Sequence, residues 1–124
     1  MIGYVTLGTN DYDRAGKFYD ALFSVIDVSR LWSSEGRAGW GPAHNQPSLC
    51  IVPAFDGKAA SVGNGVMVAL IMKSTDDVDA MHAKAMELGA KDEGKPGPRG
   101  EHGFYGGYFR DPDGNKLTAY VRGS

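Results

Sequence analysis

Tyr4-Val5-Thr6-Leu7 and Met67-Val68-Ala69-Leu70 lie 63 positions apart, and the reading of that pair decides the fold. Both segments carry the apolar, aromatic and β-branched residues that favour a strand. The same 63-position shift lays the first amphipathic stretch over the second, with Phe18 on Met81 and Tyr19 on His82. The chain is therefore a degenerate internal repeat, each half reading as a strand, a helix and then two or three strands. A half of that kind does not bury its own sheet face, so the halves are expected to pair as one curved sheet with a cavity between them.

Working outward, Ile2 to Gly8 reads as the first strand and stops at Thr9-Asn10-Asp11. Ala15, Phe18, Tyr19 and Leu22 then fall at i, i+3, i+4 and i+7, one stripe of a helix capped by Asn10 or Asp11. In the middle third, Trp32, Trp40 and Ser48 to Val52 suggest two or three short strands among turns. Val66 to Met72 is a strand. The second helix is the better marked: Ser74 can cap it, Asp76 and Asp77 suit its positive end, Val78, Met81, Ala85 and Leu88 form its stripe, and Gly89 ends it. His82, beside the stripe, is expected at the surface or its boundary. Lys91 to Gly103 reads as a Gly/Pro loop. Phe104 to Arg110 and Lys116 to Val121 form a hairpin around Asp111-Pro112-Asp113-Gly114-Asn115, where Pro presets one turn dihedral and Gly supplies a positive φ.

Composition narrows the function. The 124 residues include 13 basic and 15 acidic side chains, a net charge of −2 that offers no single-sign field to a phosphate backbone or an anionic membrane. The longest apolar run is seven residues, where a spanning helix needs about 20. No basic region precedes an apolar stretch at the N-terminus, so a cytoplasmic location is expected. Cys50 is the single cysteine and supports neither an internal disulfide nor a Cys-rich zinc site.

Three segments together resemble the vicinal oxygen chelate superfamily, which includes glyoxalase I, bleomycin resistance proteins and extradiol dioxygenases. They are Tyr4-Val5-Thr6-Leu7-Gly8 leading to Asp11 and Phe18-Tyr19, Gly63-Asn64-Gly65 before the fifth strand, and Tyr108-Phe109-Arg110-Asp111-Pro112-Asp113-Gly114-Asn115. The resemblance implies an α+β fold, a single domain over 1–124 with modules at about 1–60 and 64–122. Two βαβββ modules would form an open, cupped eight-stranded mixed sheet, helices on its outer face, and the protein would be a homodimer. It also implies four metal-ligand positions. The first-strand position falls on Tyr4, its counterpart on Met67, the terminal one on Thr118, and the fourth near Leu49 or Cys50. Such groups do not suit divalent metals that prefer imidazole and carboxylate, so no metal or other cofactor is expected.

Strand alternation sets Val5, Leu7, Val68, Leu70, Leu117 and Ala119 toward the helices and Tyr4, Thr6, Met67, Ala69, Thr118 and Tyr120 toward the cup. If Arg110 pairs with Lys116, Tyr108 lies opposite Thr118. The candidate ligand-binding residues are thus Tyr4, Thr6, Trp40, Cys50, Met67, Tyr108, Thr118 and Tyr120, a mostly apolar, aromatic lining with few polar groups. Tyr4, Met67 and Tyr108 could equally fill a core, Trp40 could be a cavity wall or a dimer contact, and Cys50 reads as a small buried residue. Arg99 is either a solvated loop residue or part of a lid. His102 beside Glu101 is either solvated or an acid-base group at the cavity mouth, and as such a candidate for catalysis. The expected function is metal-independent binding of a small aromatic or apolar molecule. One alternative is an enzyme, either a lyase or dioxygenase-like activity with a metal on displaced groups such as His44, Glu101 and His102, or a metal-free acid-base reaction through His102 or a tyrosine. The other is a protein-interaction module.

Overall fold

Asp11 and Ser74 set where the two helices begin. In the computed structural model, which describes residues 1–123, the Asp11 carboxylate accepts a hydrogen bond from the Arg14 amide (3.1 Å) and opens α1 (Tyr12–Ser24). The Ser74 hydroxyl accepts one from the Asp77 amide (3.1 Å) and opens α2 (Thr75–Glu87), with Asp76 and Asp77 in the first turn. Gly89, at φ +87°, takes the left-handed conformation that ends this helix.

Each helix lies against its own sheet. The strands β1 (Tyr4–Gly8), β2 (Ser29–Ser34), β3 (Arg37–Gly41) and β4 (Ser48–Val52) form the first sheet in the order β1-β4-β3-β2. The strands β5 (Val68–Ile71), β6 (Lys91–Arg99), β7 (Phe104–Arg110) and β8 (Lys116–Arg122) form the second in the order β5-β8-β7-β6. In both, the strand before the helix pairs in parallel with the last strand and the remaining pairs are antiparallel. The fold is α+β and built from two βαβββ modules, as the repeat implies. The eight strands are hydrogen-bonded as two open four-stranded mixed sheets, with β1 and β5 at sheet edges.

The helix-facing sides merge into one core. Phe18, Tyr19, Leu22, Trp40, Leu49 and Ile51 from the first module join Val78, Met81, Phe109 and Leu117 from the second. Val5, Val68 and Leu70, expected against the helices, are only half-buried because they sit on the two edge strands.

Two expectations are corrected. Lys91–Arg99 is strand β6, not a loop, and it pairs with β7 through two register shifts. It is an edge strand, where the missing amides of Pro96 and Pro98 leave no inner ladder bond unmade. His82 is buried, 5% exposed, and not a surface residue. Its Nε2 lies 3.1 Å from Asp92 Oδ1, and its ring meets Phe109 edge-on. A Cβ at Gly107 would stand 3.1 Å from His82 Cδ2, so the glycine opposite makes the room.

The turn Asp111–Asn115 also ties the modules together. Asp111, 5% exposed, accepts hydrogen bonds from the amides of Asp113 and Asn115 on Oδ1 (3.0 and 2.9 Å). Its Oδ2 accepts from the Tyr19 hydroxyl of α1 (2.6 Å) and from Asn115 Nδ2 (3.0 Å), and Asn115 Nδ2 also donates to the Gly8 carbonyl of β1 (3.0 Å). Burial, and then the neighbouring Asp111 carboxylate, hold the Tyr19 phenol well above its ordinary range, so it stays a donor. A segment that reads as a hairpin turn is therefore also the polar latch between the two halves.

Candidate functional site

Alternation along each strand leaves one face of each sheet turned away from its helix. On the first sheet, Tyr4 pairs with Ser48, Thr6 with Cys50, Cys50 with Gly39 and Gly39 with Trp32, which sets these residues in two rows on one face. Trp32 reaches this face because the β2 register shifts between Arg30 and Trp32. A Cβ on Gly39 would collide with its indole, so the ring lies across the glycine beside Cys50. Trp32 is a residue that alternation alone would set on the same face as Arg30, against the helix.

On the second sheet, Arg110 pairs with Lys116 and Tyr108 with Thr118, the register read from the turn. Ala69 pairs with Thr118 and Ile71 with Tyr120. The open face thus carries Met67, Tyr108, Thr118 and Tyr120 together, with Phe104 stacked on Tyr120 at 5.2 Å between ring centroids. Tyr4 and Met67 are 67% and 42% exposed, whereas Cys50 and Thr118 form the floors of their faces at 4% and 0%. The Thr118 hydroxyl donates to the Gly107 carbonyl (3.0 Å).

Trp40 stands apart from the other candidates. It is 1% exposed and lies on the helix side, 5.5 Å from the Tyr19 ring and 6.2 Å from that of Phe23, with Nε1 donating to Asp20 (2.9 Å). The Arg30 guanidinium lies 5.2 Å over its ring and pairs with the same Asp20 carboxylate (2.7 Å). The two rings and the partly exposed Arg30–Asp20 pair thus enclose Trp40 on the helix side.

The register also resolves the fourth metal-ligand position. Thr6 pairs with Cys50 as Ala69 pairs with Thr118, so Cys50 is the counterpart of Thr118, and Leu49 faces the core. The four positions carry a phenol, a thiol, a thioether and a hydroxyl. Burial pushes the Cys50 thiol above its ordinary range, against the thiolate that a metal needs. This donor set does not fit a divalent metal site. His44 lies exposed in the β3–β4 connection, and Glu101 and His102 lie exposed in the β6–β7 turn. No group of three His, Cys, Asp or Glu side chains is arranged to hold a metal among the described residues. His82 and Asp92 form a hydrogen-bonded pair through Nε2 on the helix side of the sheet.

A cleft of about 1000 Å³ opens between the modules. The edge strands β1 and β5, the end of α1, the β3–β4 connection with the start of β4, and the start of α2 line it, chiefly through Val5, Phe23, Ile26, Leu49, Val68 and Leu70. Among the candidate residues only Trp40 and Met67 border it. The aromatic faces lie outside this cleft, each on its own sheet. Arg99 is the other residue whose role changes. It ends β6, half-buried over Tyr108, where it is neither a loop nor a lid residue.

No helix of the described residues is long and apolar enough to cross a membrane. Solved structures of the same architecture include a glyoxalase/bleomycin resistance protein from Albidiferax ferrireducens. It is 32% identical, with 99% of each chain covered and a TM-score of 0.89. A glyoxalase-related enzyme from Fulvimarina pelagi is 18% identical over 98% of this chain and 87% of that one, with a TM-score of 0.77. A glyoxalase/bleomycin resistance protein/dioxygenase family enzyme from Burkholderia phytofirmans is 15% identical over 96% of each chain, with a TM-score of 0.75. The last two likenesses speak for the fold alone. No curated protein matches the sequence. Residues 1–118 match the family profile, and with the paired βαβββ modules and the Asp111–Asn115 latch this chain belongs to the glyoxalase/bleomycin resistance protein/dioxygenase superfamily.

Proposed function

We propose that this chain binds a small aromatic or apolar molecule on the open faces of its sheets without a metal, and that it does so as a cytoplasmic homodimer. The observation that carries the reading is the donor set at the four ligand positions. Tyr4, Cys50, Met67 and Thr118 replace imidazole and carboxylate with groups that pack against or hydrogen-bond an organic molecule. Trp32, Phe104, Tyr108 and Tyr120 add ring surface around them.

The edges support a second copy. β1 and β5 end their sheets, and Ile2, Tyr4, Val66, Met67 and Ile71 along them are 42–70% exposed. Unpaired strand edges with clustered apolar side chains are surfaces that an interface covers. A second copy there would bring an open face of one chain toward the other and turn two shallow faces into an enclosed site.

Light scattering is expected to give twice the chain mass at working concentration. A panel of aromatic compounds in thermal-shift assays is expected to contain stabilising members, each contributing about 2.7 kcal/mol at one hundred times its Kd. Tyr4→Ala and Tyr108→Ala should reduce those shifts while leaving the melting of the free protein within a few degrees. A monomer would remove the dimer. A panel without one stabilising compound would remove the binding function and favour a protein-interaction module.

A further inference from the structure

The open face of the second sheet combines rings with cations that are in no ion pair among the described residues. Arg99 Cζ lies 5.5 Å and Lys116 Nζ 5.6 Å from the centre of the Tyr108 ring, and Arg122 Cζ lies 5.7 Å from that of Phe104. Elsewhere a cation over a ring has its carboxylate: Arg30, over Trp40, is bound to Asp20 at 2.7 Å. On this face Glu93 is bound by Arg110 at 2.6 Å, and Arg110, with the more distant Lys91 and Lys116, holds its carboxyl below the ordinary range. Arg99, Lys116 and Arg122 form no ion pair with any carboxylate among the described residues.

Arg99 is also fixed in place. Its Nη2 donates to the Lys95 carbonyl (2.6 Å) and its Nη1 to the Pro98 carbonyl (3.2 Å). The guanidinium lies over two glycines, because a Cβ on Gly97 would stand 3.1 Å from Nη1 and one on Gly94 3.4 Å from Nη2. A guanidinium carries five N–H donors in a rigid fork. Two atoms are anchored to carbonyls, which leaves the other donors of a half-buried, oriented cation unused. Such a group is prepared to meet an oxyanion with little further loss of side-chain freedom.

We infer that the ligand of this face is an aromatic oxyanion, a flat ring system bearing a carboxylate, sulfonate or phosphate. Its ring packs on the Phe104–Tyr120 stack beside Tyr108, and its oxyanion is held by Arg99 with Lys116 beside it. The inference rests on the small-molecule reading above and adds the charge of the ligand.

The test compares two fluorescent probes with the same aromatic body. Anilinonaphthalene sulfonate carries the anion, and phenylnaphthylamine lacks it. Both are titrated into the full chain and into Arg99→Gln and Lys116→Gln, with circular dichroism recorded for each variant. The sulfonate probe should bind the parent more tightly than the neutral one. Each substitution should weaken the sulfonate probe by about tenfold, the scale of one lost charge-assisted hydrogen bond, and leave the neutral probe within about twofold. The two substitutions sit on different strands, so a folding defect in one leaves the other to decide. Equal binding of both probes to the parent, or a sulfonate affinity that neither substitution changes, overturns the anion preference while leaving small-molecule binding intact. Failure of both probes to bind overturns both readings.

Discussion

Asp111→Ala should destabilise the chain by about 3–5 kcal/mol, a large part of the roughly 5–15 kcal/mol that holds a domain folded. The size follows from what is left behind. The Tyr19 hydroxyl stays buried without an acceptor, the amides of Asp113 and Asn115 lose theirs, and Asn115 Nδ2 keeps only the Gly8 carbonyl. Each such orphaned group costs about 1–3 kcal/mol, and the sum is less than additive because the turn relaxes. Tyr19→Phe removes one donor and leaves three on the carboxylate, so about 1 kcal/mol is expected. In the Tyr19→Phe background Asp111→Ala should be milder, since no phenol remains to be orphaned. Urea denaturation of the four members of this cycle measures the coupling. A loss under about 1 kcal/mol for Asp111→Ala would mean that the turn serves its hairpin only and that the modules are held by apolar packing.

Trp40→Ala should destabilise by about 3–5 kcal/mol, the range for deleting a fully buried large aromatic side chain. Its ring packs against the stacked rings of Tyr19 and Phe23, and its indole N–H meets Asp20 at the edge of the core. Trp40→Phe keeps most of the ring and gives up the Asp20 bond, so about 1–2 kcal/mol is expected. Aromatic compounds that stabilise the parent should bind Trp40→Phe with unchanged affinity. A Trp40→Phe protein of parental stability that has lost compound binding would return Trp40 to the site.

The elements built from strong local patterns were legible in the sequence, and those set by neighbours were not. Ser74, Asp77 and Gly89 mark α2 because capping and the left-handed stop act within one turn. The Asp111–Asn115 turn fixes the pairing of Arg110 with Lys116, and through it the face of Tyr108. β6 was hidden because Gly94, Pro96, Gly97 and Pro98 are loop residues by composition, and only an edge position tolerates them in a strand. Trp32 was hidden by a single register shift that turns it over. His82 was hidden because its burial depends on a glycine 25 residues later, Gly107, on a strand it packs against. The placement of Tyr4, Thr6, Met67, Tyr108, Thr118 and Tyr120 on the faces turned away from the helices follows from alternation. That of Arg99 and Lys116 does not, since their meeting on one ring depends on the edge strand.

Metal content tests the central claim most directly. The untagged protein is purified without chelator, offered Zn²⁺, Ni²⁺, Fe²⁺ and Mn²⁺ in turn, desalted and measured by mass spectrometry. The donor set of Tyr4, Cys50, Met67 and Thr118 predicts far less than one metal per chain with all four. One tightly held metal per chain would contradict metal-independent binding and direct the next experiments to lyase and dioxygenase assays.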